Sequence, residues 1–340
     1  RPSRSTWASR LTVWAYSPRR RPDRCRGRAP GAYQGLLRGT RSLSPCDHRA
    51  MAETQAATEA AAPNQLFPGK QFISTVLEAL DTKTRMTGNI AQRYLMRAAM
   101  AGMIVAVFYI VNYAIVGTFA ELGAAGVGKF LGALAFGPAL VFIYYTKSEL
   151  LTSNMMVVVI GRYYKRITTW RGMRVLFMCF IGNFLGGLVF AVMYRFSTLV
   201  GGATGEQAVH SVQAKLAYMD SVSGVGDLFV RAILCNFMIN LAMLLIYNGF
   251  IHEDWSKIFA MLISVFVFAF LGLEHSVANT VLFTVVGLTH GIDVLAASGN
   301  VAVALLGNFV GGGILIGAYY AYANDDRWVR SRVRAAVPHS

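Results

Sequence analysis

Apolar and polar positions divide this chain into long hydrophobic runs joined by short polar connections. Six runs approach the ~20 residues that a helix needs to cross a bilayer. They cover 96–118, 131–161, 175–195, 228–248, 257–286 and 301–323. The fifth is too long for one straight crossing, and Leu271-Gly272-Leu273-Glu274-His275-Ser276-Val277-Ala278-Asn279 places polar groups in its middle. The second is interrupted in the same way by Glu149-Leu150-Leu151-Thr152-Ser153-Asn154. Unwound backbone at that depth survives only where it is buried in protein or lines a cavity, so both breaks are expected inside the protein. Upstream, Phe72, Val76, Leu77 and Leu80 recur at helical spacing with Glu78, Asp81 and Lys83 between them, which predicts a short amphipathic helix. The pattern leaves three placements open: on the membrane surface, docked beneath a pore, or simply leading into the first span. Residues 201–227 read as a long polar connection between the third and fourth spans.

The two interruptions belong to an internal repeat. Glu149–Asn154 aligns with Glu274–Asn279 at an offset of 125. Gly182-Asn183-Phe184-Leu185-Gly186-Gly187 aligns with Gly307-Asn308-Phe309-Val310-Gly311-Gly312 at the same offset. Each copy holds three crossings, an odd number, so the second copy is expected inverted relative to the first. Broken helices at corresponding places of inverted repeats point to a transport site near the midplane. The glycines are expected to let helix backbones approach closely. Asn183 and Asn308 need partners inside apolar spans. Bonding the freed backbone of a break and contacting a substrate are equally good readings for them.

Composition changes this picture little. The chain is 55% hydrophobic and 14% charged, against roughly 25% charged in a soluble domain. The fold class is an all-α polytopic membrane protein. The net charge of +15 would suggest nucleic acid, but 12 Arg against two Asp lie in residues 1–50, so no nucleic-acid partner is expected. Residues 1–50 lack periodicity and are set aside as a basic upstream segment; Met51 opens an ordinary N-terminus, and an organellar transit peptide is the less favoured alternative. Residues 51–95 form an N-terminal region, 96–323 the transmembrane domain, and 324–340 a basic tail. Arg162, Lys165, Arg166, Arg171 and Arg174 follow the second span, and Arg327, Arg330, Arg332 and Arg334 follow the sixth. The positive-inside rule then puts both termini in the cytoplasm, with the chain in the cell's inner (plasma) membrane. Cys25, Cys46, Cys179 and Cys235 show no metal or disulfide spacing, and neither a metal nor a cofactor is expected.

Ionisable groups at mid-membrane mark pathways more often than lipid-facing surface. His275 is therefore the leading candidate. Glu149 and Glu274, with Asn154 and Asn279, are expected to be structural at the breaks, the carboxylates bonding unwound backbone N–H groups. No nucleophile–base pair or HExxH accompanies them, so an intramembrane enzyme is not supported. A neutral-solute channel of the water or glycerol type would want paired Asn-Pro-Ala breaks, which are absent.

Glu149–Asn154, Leu234-Cys235-Asn236-Phe237, Glu274–Asn279 and Gly307-Asn308, in this order and spacing, resemble the formate/nitrite transporter family from about Tyr94 to Tyr322. The resemblance implies an aquaporin-like fold with one pore per protomer in a homopentamer. It implies passage of small monovalent anions such as formate, nitrite, acetate, lactate or hydrosulfide, often with a proton. By position, His275 is similar to the central pore histidine, Thr152 to the threonine that hydrogen-bonds it, and Asn308 to the pore asparagine. Phe136, Leu140, Leu150 and Phe268 match the hydrophobic constrictions, and Arg174 a basic vestibule position. Lys147 departs from the pattern, standing where a small residue is expected, and Pro138 lies inside the second span. His275 is expected to rest neutral and to share a proton as an anion arrives, with Lys147 and Arg174 concentrating anions at the mouths. Channel and proton-coupled symporter remain alternatives.

Overall fold

The computed structural model describes residues 67–327. The expectations for 1–50, for Cys25 and Cys46, for the segment up to 66 and for the tail beyond Arg327 lie outside these residues. The described residues are helical, with no strand. In chain order the helices are α1 Lys70–Asn89, α2 Ala91–Glu121, α3 Ala125–Phe136, α4 Pro138–Tyr145, α5 Leu151–Tyr163 and α6 Thr169–Arg195. Then come α7 Gly202–Leu216, a 3-10 turn Ala217–Asp220, α8 Val222–Tyr247, α9 Asp254–Phe270, α10 Ser276–Thr289 and α11 Val294–Asn308. The chain continues through wide π turns over Phe309–Ala318 into α12 Tyr319–Ala323.

Among the described residues, five helical stretches are long and apolar enough to cross a membrane: Ala91–Glu121, Ala125–Tyr145, Thr169–Arg195, Val222–Tyr247 and Val294–Ala323. The run expected over 257–286 is two helices, α9 and α10, of 17 and 14 residues. Helix α2 begins five residues before the expected start, at Ala91. Arg93 and Arg97 end the apolar run in the sequence without ending the helix, because long cationic side chains near a helix end can carry their charge out of the apolar layer. Pro138 opens α4, the first-turn position where a missing N–H costs least.

Helix α1 takes the docked placement. Phe72, Ile73, Val76 and Leu80 are buried along one face, and Phe72 meets Tyr320 edge-on at 5.9 Å. The connection over 201–227 is a correction: it holds α7, which buries Gly205, Ala208 and Val212. Ala208 and Val212, with Leu216, do carry a four-residue spacing, but the stripe is too narrow to stand out among the flanking polar residues.

The glycines set the helix spacing. Gly182 and Gly186 of α6 lie against the backbone from Leu95 to Ala99 in α2, and Gly307 and Gly311 lie against Phe229 to Ile233 in α8. A Cβ on Gly186 would fall 1.8 Å from the Ala99 carbonyl oxygen, and one on Gly311 would fall 2.1 Å from that of Ile233. These are equivalent contacts, yet Ala99 and Ile233 are 134 positions apart rather than 125. The first copy carries extra residues between its first helix and its break, which hides the kinship of α2 and α8 from a fixed-offset comparison.

Gly186→Ala is expected to destabilise the fold by about 1–3 kcal/mol, the range for overpacking, read as a lower melting temperature in detergent. Gly126→Ala, where nothing lies within 4 Å of the added Cβ, is expected to be neutral or stabilising.

Candidate functional site

The two breaks share one backbone pattern. After α4 the Ser148 N–H bonds the Ile143 carbonyl at 3.0 Å; after α9 the Leu273 N–H bonds the Phe268 carbonyl at 2.9 Å. One residue earlier in each, the chain passes through the left-handed region, at Lys147 (φ 56°) and Gly272 (φ 64°). Arg97 of α2 donates to the Lys147 carbonyl at 2.8 and 2.6 Å, and Arg231 of α8 donates to the Gly272 carbonyl at 3.3 Å. The freed carbonyl of each turn thus receives a guanidinium from the neighbouring helix.

Asn183 and Asn308 tie each break to the helices behind it. The Leu151 N–H donates to Asn183 Oδ1 at 3.1 Å, while Asn183 Nδ2 donates to the carbonyls of Ala98 and Glu149, both at 2.8 Å. In the other copy the Ser276 N–H donates to Asn308 Oδ1 at 2.8 Å, and Asn308 Nδ2 donates to Ala232 at 2.7 Å and Glu274 at 3.0 Å. Buried backbone groups without helical partners are satisfied in this way. Of the two readings open for these asparagines, the observed contacts are those of the backbone pin. Asn308, expected in the pore, does not line the central cavity; its amide is engaged on three sides.

Glu149 and Glu274 also differ from expectation. Both are almost fully buried, and their carboxylates meet side chains rather than unwound N–H groups. Glu149 accepts from Lys83 of α1, with Arg97 3.8 Å away, and from Asn154 at 3.2 Å. Glu274 accepts from Lys215 of α7 at 2.8 Å and from Asn279 at 2.6 Å. Burial pulls the Lys215 ammonium down, but the charge of Glu274 and the hydrogen bond to it outweigh burial and hold Lys215 above its ordinary value. Each buried acid is thus neutralised by a lysine from an element outside the repeated spans, a pairing that burial demands.

Between the breaks, Thr152 Oγ1 and His275 Nε2 are 3.1 Å apart. His275 also caps α10: its Nδ1 accepts the Ala278 N–H at 3.0 Å. An acceptor nitrogen carries no proton, so the neutral ring bears its proton on Nε2 and donates it to Thr152. The Thr152 carbonyl is held by Asn236 at 3.1 Å and Asn240 at 3.2 Å, both from α8. Phe268 stacks on the imidazole with centroids 6.0 Å apart, and Phe136 meets Phe268 edge-on at 6.0 Å.

Phe136, Leu140, Leu150, Phe268 and His275 line one apolar cavity, with room for little more than a single water. Leu140, Ile143 and Leu150 also line a second cavity of about 520 Å³, on the α1 side. They are the shared wall between a narrow apolar chamber and a wide polar vestibule. Lys147 lines that vestibule, with Lys83, Arg97, His252 and Lys257. Arg174, expected there, is exposed near the start of α6 and is not among the lining residues.

A polar vestibule thus ends on a leucine wall, with a capped histidine behind it. A family model described as formate/nitrite transporter matches residues 70–322. This chain belongs to the formate/nitrite transporter family. It is 29% identical over 220 residues to the formate channel FocA of Haemophilus influenzae, covering 58% of this chain and 75% of the relative. It is 27% identical over 242 residues to the nitrite transporter NirC of Salmonella typhimurium, covering 70% and 86%. A solved FNT family ion channel superposes with a TM-score of 0.63 at 24% identity, covering 75% of this chain and 99% of that one. A pentameric formate channel with formate bound gives 0.56 at 21% identity, covering 71% and 98%. These two structural likenesses bear on the fold alone. The chain is an all-α, multi-pass transporter of this family, and its relatives are channels and transporters rather than enzymes.

For this transporter the sequence reading missed Lys83 and Lys215 as partners, Asn240 as a second hold on Thr152, and Arg97 and Arg231 at the break carbonyls. A signal existed for the lysines: a carboxylate at mid-span requires a counter-charge, and α1 carries Lys70 and Lys83 while α7 carries Lys215. Lys215→Met is expected to destabilise the protein by about 3 kcal/mol or more, since it leaves Glu274 buried and unpaired. Thermal unfolding of Lys215→Met beside Lys215→Met/Glu274→Gln checks this; the double variant is expected to recover much of the loss.

Proposed function

We propose that this protein passes small monovalent anions, formate foremost, across a membrane along the path from the α1-side vestibule past Leu140, Leu150, His275, Phe268 and Phe136. The observation that carries this reading is the placement of His275 beside the leucine wall and behind a vestibule rich in cations. Family membership and the formate and nitrite relatives support the anion class. Nitrite, acetate, lactate and hydrosulfide are the other candidates.

A bare anion in a dry, apolar chamber is very costly. Lysine and arginine in the vestibule raise its local concentration first, and the helix starts at Leu151 and Ser276 add partial positive charge at the wall. Past the leucines, the anion replaces Thr152 as acceptor of the His275 Nε2 proton. For that proton to leave the ring altogether, Nδ1 must take up another and release the Ala278 N–H, because an imidazolium has two donors and no acceptor. Proton transfer is thereby tied to loosening of the α10 cap. The anion then crosses Phe268 and Phe136 as the neutral acid or beside the imidazolium. Protons are the second transported species in this reading, and the transporter is a proton-linked symporter or a channel with pH-dependent conduction.

The paired break contacts favour six crossings in two inverted three-span repeats, with α9 and α10 together forming the fifth. The pentameric relative supports a homopentamer with one pore per protomer. The inner membrane, with both termini cytoplasmic, is the expected setting.

His275→Asn tests the site without removing the cap, because asparagine is among the good capping residues. The variant is expected to melt like wild type and to lose proton-linked formate uptake in liposomes by tenfold or more. Undiminished uptake with an unchanged pH profile contradicts the proposal. If Thr152 accepts the ring proton, Thr152→Val shifts the pH dependence of uptake; an unchanged profile removes that role.

A further inference from the structure

Five cations crowd the end of α5, the turn after it and the first turns of α6: Arg162, Lys165, Arg166, Arg171 and Arg174. No Asp or Glu occurs between Glu149 and Glu206. Two of the five are engaged: Arg162 Nε donates to Thr169 Oγ1 at 3.1 Å, and Arg166 pairs with Asp81 of α1 at 3.0 Å. Among the described residues, the side chains of Lys165, Arg171 and Arg174 have no partner, and all three are exposed. The turn that presents Lys165 is closed, because the Arg166 N–H bonds the Gly161 carbonyl at 2.8 Å. None of the three lines the vestibule or the apolar chamber.

These cations stand at one end of an apolar stripe. Trp170, Met173 and Phe177 follow at helical spacing on the outer face of α6, and all are exposed, Trp170 at 80%. Arg174 lies on the same face, four residues after Trp170 and three before Phe177. The stripe continues through Leu185 and Val189 to Phe196, just past the helix end. A helix of 27 residues is about 40 Å long, against ~30 Å for the hydrocarbon core of a bilayer. Both ends of α6 therefore reach headgroup level, where tryptophan is the favoured residue. The last turn of α6 carries one cation, Arg195. A second copy of the chain laid over the opposite, cationic end would bury three unpaired charges, which is costly. A leaflet of anionic lipid supplies the missing counter-charge and leaves the cations hydrated.

We infer that the start of α6 is a docking surface for anionic phospholipid headgroups. Lys165, Arg171 and Arg174 meet the phosphates, Trp170 sits among the headgroups, and the acyl chains run along Met173 and Phe177. The surface lies outside the conduction path and does not depend on what that path carries. Because the charge is concentrated at one end of the helix, the surface favours the leaflet richer in anionic lipid. Helix α6 also carries Asn183, which pins the first break, so lipid held at its start steadies the helix that holds the break.

The test titrates the purified full chain, in neutral detergent, with phosphatidylglycerol or with phosphatidylcholine. Melting temperature is followed, and lipid retained per protomer is counted by native mass spectrometry. Phosphatidylglycerol is expected to raise the melting temperature and to be retained well above phosphatidylcholine. Each cation near an anionic surface strengthens binding about fivefold. Arg171→Gln/Arg174→Gln is therefore expected to melt like wild type without lipid and to need about tenfold or more phosphatidylglycerol for the same rise. Lys165→Gln alone is expected to need about fivefold more, while Arg171→Lys/Arg174→Lys keeps the wild-type titration. Unchanged titration and retention in the glutamine variants overturn the inference. So does an equal loss in Arg195→Gln, which reads any cation of α6, or an equal rise with inorganic phosphate, which reads a free-anion site. A changed oligomeric mass with unchanged lipid retention gives the face to a second copy and overturns it as well.

Discussion

Unwound backbone inside an apolar layer must find hydrogen-bond partners within the protein. Many of the polar contacts at the centre of this molecule answer that demand. Asn183 and Asn308 each make three bonds, two to the backbone at a break and one to a carbonyl of α2 or α8. Arg97 and Arg231 reach the carbonyls of the turns, and His275 caps the helix that restarts after the second break. Gly182, Gly186, Gly307 and Gly311 serve the same end. Without the close approach they allow, the two asparagines would stand too far from the carbonyls of Ala98 and Ala232 to bond them.

Charge is arranged in a second layer around this frame. Glu149 and Glu274 are buried acids whose amide partners, Asn154 and Asn279, lie five residues on in the same copy. Their lysines come from outside it, one from α1 and one from α7. Helices α1 and α7 therefore have an electrostatic purpose as well as a packing one. The copies differ in the side chains they carry at the breaks. The first carries the Thr152 hydroxyl and the Lys147 ammonium; the second carries the His275 ring and Gly272.

The hydrophobic pattern made the class and the two interruptions legible, because the demand for apolar length and the exclusion of charge act on many residues at once. The offset of 125 disclosed the breaks and the asparagine-glycine helices, since both copies hold matching polar and glycine residues there at the same spacing. It did not disclose α2 and α8, whose contact with the glycines is made through backbone, leaving side chains free to diverge. Phe136, Leu140, Leu150 and Phe268, read as constriction residues from the family resemblance, lie on one cavity with His275. Asn308 and Arg174 did not reach the places expected of them. The first lies behind the break because its twin position does the same work in the other copy, and the second stands on the surface while Lys83 and Arg97 occupy the vestibule. Lys83 and Lys215 could not be assigned from spacing, since pairing across separate helices leaves no periodic trace.

The central claim is that anions small enough to meet His275 pass this path together with a proton. The most direct measurement is uptake of labelled formate by purified protein in liposomes, under an imposed gradient with the interior alkaline and then with the gradient reversed. The account predicts uptake well above protein-free liposomes that accelerates with the interior alkaline, falls on reversal, and is competed by nitrite or acetate but not by glycerol. Uptake indifferent to the gradient, or passage of glycerol at the same rate as formate, would contradict it.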